Sequence, residues 1–234
     1  METILREGLA ALRTPASEEA IGLLAAYGAE LQRANAVTNL TAIREKSDAA
    51  RLHFLDSAAL LKLVNFAGKR VIDVGSGAGF PGVPLRILQP DIRLTTVDSV
   101  RKKVDFVAGA VGRLGLEDVE CLWGRVEELP QLRGRFDVAV SRAVAELDIL
   151  AELCLPLVKE GGVFLAMKRP DCQDETARAE FAIRALGGRL RGIERYTVPG
   201  TEVTHAVVVV DKVGKTPPQY PRRYAQIKKK PLKG

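Results

Sequence analysis

The stretch Val71-Ile-Asp-Val-Gly-Ser-Gly-Ala-Gly-Phe-Pro-Gly82 runs from a β-branched apolar segment into a loop with glycines at 75, 77 and 79, and then into a helical pattern opening at Val83. Glycine lets the backbone turn sharply and lets a ligand approach the main chain closely. Asp73, near the carboxyl end of the strand, can accept a hydrogen bond from a cationic amino group. Asp98 ends the next apolar run, and a carboxylate there can hold both hydroxyls of a ribose; its distance from Gly79 is close to the ~20 residues that a βαβ unit requires. An amino-acid cation joined to a nucleoside describes S-adenosylmethionine. Gly77, Gly79 and Gly82 also spell the dinucleotide pattern G-x-G-x-x-G, but that frame starts three residues late after the strand and places Pro81 inside the turn. No Tyr-x-x-x-Lys pair of a dehydrogenase lies in the α/β segment, and a phosphate loop ending in Gly-Lys-Ser/Thr is absent.

Outward from this loop the periodicity changes at Gly68. Before it, Ile21, Leu24, Ala25 and Leu31 recur at helical spacing behind a start signal at Ser17-Glu18-Glu19, and a second helical run extends from Ala49 to Leu63. After it, β-rich runs at Val71 to Val74, Leu94 to Val97, Val119 to Leu122, Phe136 to Val140 and Val163 to Met167 alternate with helical stretches near 83–88, 101–114, 147–158 and 173–186. Such alternation builds a parallel sheet. Two last strands, near 190–198 and 204–211, are joined by Pro199-Gly200 without a helix and therefore form an antiparallel hairpin. The expected fold is α/β: a Rossmann-like class I S-adenosylmethionine-dependent methyltransferase with a seven-stranded, mostly parallel sheet and a terminal antiparallel hairpin. The expected organisation is an N-terminal helical extension (1–67), the methyltransferase domain (68–212) and a basic C-terminal tail (213–234).

Of 234 residues, 47% are hydrophobic and 27% charged, and no apolar run approaches the roughly 20 residues of a membrane span. With no secretory h-region at the N-terminus, a cytoplasmic monomer without membrane association is expected. Cys121, Cys154 and Cys172 form no C-x-x-C pair, so neither a disulfide framework nor a metal site is expected. The net charge of +6 sits in the tail: Lys212 to Gly234 holds eight bases and no acid, leaving 27 bases against 29 acids elsewhere. Tyr220 and Tyr224 lie among those bases, and prolines at 217, 218, 221 and 231 interrupt helical continuity. Bases beside aromatic rings suit a phosphate backbone and stacked nucleobases; a solvated terminus has the same composition.

Methyl transfer is an in-line displacement, so the enzyme supplies positioning, and supplies a base only where the acceptor must lose a proton. The Pro-Pro-aromatic turn of exocyclic-amino methyltransferases is missing after the fourth strand, which reads Ser141-Arg142-Ala143-Val144. Cys154 lies within a helical apolar pattern, where a thiol packs in the core. An aromatic ring nitrogen with its own lone pair needs no base, and guanine N7 fits, its neighbouring O6 offering a handle for side-chain donors. A small-molecule methyltransferase with an incidental tail, and a non-enzymatic RNA-binding protein on the same fold, remain alternatives.

Several ordered motifs carry a resemblance: Asn39-Leu-Thr-Ala-Ile-Arg44, His53-Phe-Leu-Asp-Ser57, the 73–85 loop, Gly124-Arg-Val-Glu-Glu128, Phe136-Asp-Val-Ala-Val-Ser-Arg-Ala-Val-Ala145, the strand end at Lys168, and Tyr220-Pro-Arg222 with Lys230-Pro-Leu232. The chain resembles the ribosomal RNA small subunit methyltransferase G family over nearly its full length. The resemblance implies methylation of guanine N7 in the decoding-region loop of 16S rRNA, within the rRNA or the small ribosomal subunit, using S-adenosylmethionine and no metal. It also implies that Gly75 and Phe80 contact the cofactor, that Val126 and Glu127 reach its adenosine portion, and that Arg142 borders cofactor and substrate, which agrees with the cofactor-binding places read above for Asp73, Gly77, Gly79 and Asp98. Arg125, Arg142 and Lys168, all expected at the carboxyl edge of the sheet, would form a basic mouth for RNA, and Asn39 belongs to the same pocket. His53 and His205 read as structural. Relatives often carry Arg where this chain has Thr204, which leaves a substrate contact there open.

Overall fold

The computed structural model describes residues 1–142 and 144–233. Seven strands, β1 (Arg70–Val74), β2 (Arg93–Asp98), β3 (Val119–Trp123), β4 (Phe136–Arg142), β5 (Val158–Lys168), β6 (Gly188–Thr197) and β7 (Thr204–Lys212), form one sheet in the order β3-β2-β1-β4-β5-β7-β6. β1 to β5 are parallel, and β7 pairs antiparallel with both β5 and β6. The carboxyl ends of the parallel strands therefore share one edge with the start of β7, which brings His205 to the edge occupied by Asp98, Arg142 and Lys168. Ligands bind at that edge in open α/β sheets.

Strand alternation sends successive residues to opposite faces. Val71, Val138, Val140 and Val207 pack on one side, and Ile72, Ala139, Phe164 and Val208 on the other. The first side is covered by α1 (Glu2–Ala11), α2 (Glu18–Thr38), the helical run 46–62, α5 (Gly82–Leu88) and α6 (Arg101–Arg113); the second by α7 (Leu147–Cys154), α8 (Gln173–Ala185) and α9 (Tyr224–Lys229). Ser17 caps α2 by accepting from the Ala20 N–H at 3.1 Å, as its sequence signal predicts. The 46–62 run is not uniform: α3 (Lys46–Ala49) passes into a π-helical turn (Ala50–Leu55), then α4 (Asp56–Ala58) and a 3-10 turn (Ala59–Lys62). Such wide turns occur often at functional sites. Tyr27 of α2, fully buried, donates to the Ala78 carbonyl at 2.9 Å, so the N-terminal helices buttress the glycine loop directly.

Two boundaries differ from the sequence expectation. The helix expected to reach Val158 ends at Cys154, because Pro156 lacks the N–H that would continue it, and β5 starts at Val158, well before Val163. The prolines of the tail bracket a helix, α9, whose Ile227 is completely buried. Its anchor is Arg222, which donates from its main-chain N–H, Nε and Nη2 to the carboxylate of Glu152, a fully buried residue of α7. Removing one partner of a buried pair strands the other charge, at a cost of about 3 kcal/mol. Arg222→Ala should therefore lower the melting temperature by roughly 6–12 °C, at 2–4 °C per kcal/mol for a chain of this size. Arg101→Ala, which breaks the exposed Arg101–Asp105 pair, should shift it by no more than about 3 °C. Thermal unfolding of the two variants side by side checks this.

Candidate functional site

At the end of β1 the chain turns through Gly75, Gly77 and Gly79, all with positive φ. Each glycine meets a different neighbour. A Cβ at Gly75 would collide with Val144, and one at Gly79 with the Tyr27 hydroxyl, whereas one at Gly77 would meet nothing within 4 Å. The Gly77 N–H donates to Asp98 Oδ2 at 2.9 Å, and Asp98 Oδ1 accepts from Val100 N at 2.8 Å, so a single carboxylate shapes both the glycine loop and the turn after β2. A carboxylate has about four acceptor sites, which leaves Asp98 capacity for ribose hydroxyls. Asp73 is completely buried; its Oδ2 accepts from the Gly82 N–H at the start of α5 at 2.7 Å, while Oδ1 has no partner among the described residues. Burial pushes its carboxyl up to about 7, against the opposing pulls of the Gly82 hydrogen bond and of Arg142. An orphaned buried oxygen asks for a cationic donor, and the open space at Gly77 beside Asp98 asks for a nucleoside. Together they fit S-adenosylmethionine.

Next to this loop opens a cavity of about 1150 Å³ whose walls include Leu52, His53, Asp56, Arg142, Lys168 and His205. Arg142 closes β4, and its guanidinium is held on several sides: Nη1 donates to the Leu52 carbonyl and to Asp56 Oδ2, each at 3.1 Å, and Nη2 donates to His53 Nδ1 at 3.1 Å. The Phe80 ring lies beneath it at 5.3 Å and stacks on His53 at 4.6 Å. Since His53 Nδ1 accepts, its Nε2–H faces Thr41 Oγ1, 2.9 Å away. Burial, and then the charge of Arg142, lower the His53 pKa to about 4, so the ring is neutral at physiological pH. Asp56 is 1% exposed; its Oδ1 accepts from the Tyr196 hydroxyl at 2.7 Å and from His205 Nδ1 at 2.6 Å. Burial alone would raise the Asp56 pKa, but the His205 hydrogen bond and Arg142 hold it below the usual carboxylate value.

The remaining sequence candidates fall in different places. Lys168 lines the cavity, but its ammonium is tied to the Ala145 carbonyl at 2.6 Å and to Glu175 Oε1 at 2.5 Å. Glu146, Asp171, Asp174 and Glu175 share the cavity wall with Arg142, Lys168, Arg169, Arg178 and Lys228, so the mouth is mixed in charge where a basic one was expected. Arg125 stands outside the cavity, exposed, 5.4 Å from the ring of Tyr224, which does line it. Val126 is buried, and Glu127 accepts from the Tyr224 N–H at 3.2 Å, which docks the tail against the turn after β3. Phe80 is buried in an aromatic cluster with Tyr27 and Phe54. Asn39 is exposed, in left-handed conformation at the end of α2, next to Thr38, whose carbonyl accepts from Lys102 of α6. His53 and His205, read as structural, both belong to the Arg142 network. Asp56 was not singled out, although it lies in the quoted His53–Ser57 motif. Tyr224 to Lys228 is a Tyr-x-x-x-Lys spacing, located in the tail helix outside the α/β segment.

Comparison with known proteins agrees with this geometry. The family described as rRNA small subunit methyltransferase G matches residues 20–199. Ribosomal RNA small subunit methyltransferase G of Pelotomaculum thermopropionicum is 43% identical over 235 residues, 99% of this chain and 98% of that protein. The protein of the same name from Clostridium botulinum (strain Loch Maree) is 42% identical, covering 87% of each chain. Among solved structures, TrmN from Thermus thermophilus superposes with a TM-score of 0.54 at 21% identity, over 67% of this chain and 48% of that one. M. jannaschii TYW2 in complex with AdoMet gives 0.55 at 14% identity, over 68% and 75%. Those two likenesses show the fold, and the dinucleotide reading of the glycines falls with the family match. On the extent of its match and the identity shared along nearly its whole length, the chain belongs to the rRNA small subunit methyltransferase G family.

Proposed function

We propose that this protein transfers a methyl group from S-adenosylmethionine to N7 of a guanine in the decoding-region loop of 16S rRNA. The coarser activity, S-adenosylmethionine-dependent methylation of small-subunit rRNA, is that of the family. The observation that carries the finer reading is that His53, Asp56 and Lys168, which line the cavity, are already committed to internal partners. Both nitrogens of His53, both oxygens of Asp56 and the ammonium of Lys168 are engaged. Cys154 is fully buried, and that burial pushes its thiol well up, away from the thiolate needed for attack on a ring carbon. Such a wall suits an acceptor that brings its own lone pair and needs orientation only.

When bound, S-adenosylmethionine supplies an electrophilic methyl group on a sulfonium. The Gly75–Gly79 backbone would hold it, with Asp73 Oδ1 accepting from its ammonium and Asp98 from its ribose, and with Val126 and Glu127 beside the nucleoside. Arg142 has five N–H donors and spends three on Leu52, Asp56 and His53. The two that remain can hold guanine O6 while N7 stays free. Lys168 keeps the loop at Ala145 against α8, and Arg125 with the tail bases Arg223, Lys228 and Lys229 supplies charge for the RNA backbone. Asn39 lies outside the cavity wall, at the end of α2, where the neighbouring Thr38 carbonyl accepts from Lys102 of α6.

The product test is direct. Small subunits or 16S rRNA incubated with methyl-labelled cofactor should become sensitive to borohydride and aniline, which cleave RNA at N7-methylguanine, at a guanine of the decoding region. Label that resists this chemistry would contradict the N7 assignment.

Asp73 predicts a pH dependence. Its carboxyl titrates near 7, and only the ionised form attracts an ammonium. Below pH 7 it must first lose a proton, so cofactor affinity should fall by up to about tenfold per pH unit as the pH drops from 7. Binding at pH 6 should release close to one proton. Calorimetry in buffers of different ionisation enthalpy measures this, and proton release indistinguishable from zero at pH 6 would remove Asp73 from the cofactor site.

A further inference from the structure

Asp56 receives hydrogen bonds from three elements far apart in sequence. Its Oδ2 faces Arg142 of β4, and its Oδ1 takes both Tyr196 of β6 and His205 of β7, which are cross-strand partners in the hairpin. Arg142, in turn, both lines the cavity and lies over Phe80 of the glycine loop. A long flexible arginine at a strand end loses rotamer freedom when held in one place, and a buried carboxylate is the partner able to offset that loss. The same carboxylate would cancel the guanidinium's charge toward an anionic ligand. His205 alters this balance: protonated, the Arg142–Asp56–His205 group is net cationic, and deprotonated it is net neutral.

We propose that Asp56 and His205 form a positioning pair for Arg142, in which Asp56 fixes the guanidinium at the cavity wall and protonated His205 keeps the group cationic toward RNA. This rests on the reading of Arg142 as a substrate-facing residue. The groups facing His205 are Asp56 from α4, Arg142 from β4, Tyr196 from β6 and, one position along the β5–β7 ladder, Lys168. The Asp56 hydrogen bond raises the His205 pKa, against burial and Arg142, which lower it. Its side chain is 31% exposed, so the proton exchanges freely with solvent.

The test measures kcat and KM for 16S rRNA from pH 5.5 to 9, alongside cofactor Kd, in the wild type, His205→Asn, Tyr196→Phe and Asp56→Asn. In the wild type KM for RNA should rise by roughly tenfold as His205 loses its proton, the scale of one charge-assisted contact. An asparagine at 205 can still donate to Asp56 but carries no charge; this variant should show the high KM throughout, with the two curves meeting at alkaline pH. Asp56→Asn should lower kcat by roughly a hundredfold, and Tyr196→Phe by less than tenfold, with cofactor Kd within about twofold of wild type in all variants. A His205→Asn variant that keeps the wild-type pH profile, or a folded Asp56→Asn variant with wild-type kcat and KM, would overturn the proposal. Should Asp56→Asn fail to fold by circular dichroism, the His205→Asn profile decides alone. If an Arg142 variant itself proves fully active, the underlying reading of Arg142 fails; if it is inactive while the pair variants behave as wild type, only the positioning pair fails.

Discussion

Replacing Arg142 with lysine should reduce rRNA methylation by roughly 10² to 10³-fold while the protein stays folded and binds cofactor within a few-fold of normal. A lysine retains the charge but not the planar fork, and it cannot reach Leu52, Asp56 and His53 while keeping two donors for a base. Losing a preorganised donor at a reacting centre costs about 2.7–4 kcal/mol, which sets the expected range. Arg142→Ala should lose as much activity and more stability, since Asp56 Oδ2 and the Leu52 carbonyl are then left without that donor in a mostly buried setting. Read from sequence alone, the strand-end arginine supports binding and leaves the core untouched; its burial and its ties to Asp56 make it part of the packing as well. Single-turnover assays with 16S rRNA, paired with thermal unfolding, separate the two effects. A lysine variant with turnover within threefold of wild type would show that the guanidinium does not face the acceptor.

Asp98→Ala should weaken S-adenosylmethionine binding by at least about a hundredfold. The carboxylate holds the Gly77 and Val100 N–H groups and, in the proposed reading, also offers acceptors to a ribose. Two charge-assisted hydrogen bonds at roughly 1.5–3 kcal/mol each account for that loss before any loop distortion is counted. Asp98→Asn, able to accept on one oxygen, should fall in between. Equilibrium dialysis with labelled cofactor measures both, and an alanine variant binding within fivefold of wild type would place the nucleoside elsewhere.

The sheet was legible because its strands are short, β-branched and separated by helices of ordinary length, and because Pro199-Gly200 joins two strands with no room for a crossover. The early part of β5 was hidden. Lys159-Glu-Gly-Gly162 reads as a turn, and in the structure this stretch pairs irregularly, with a register shift between Phe136 and Val138 of β4. The glycine loop with Asp73 and Asp98 against it was legible because these residues are close in sequence. Asp56 could not, since its partners Arg142, Tyr196 and His205 lie 86, 140 and 149 residues away. For the same reason the histidines looked inert. Lys168 carried a usable signal: Glu175 is seven residues on, across a strand-to-helix turn, close enough to compete with RNA for its charge. In the tail, the bases and prolines dominate the composition and mask Arg222, Ile227 and Leu232, which pack it against α7 and its neighbours.

The most direct measurement is a crystal structure with S-adenosylhomocysteine, the demethylated product of the donor. Its ribose should lie against Asp98 beside Gly77, its ammonium should point toward Asp73 Oδ1, and its sulfur should face the cavity lined by Arg142. Density for the ligand away from the glycine loop, or a loop that binds a nicotinamide dinucleotide in preference to it, would contradict the assignment of this edge of the sheet as the methyl-transfer site.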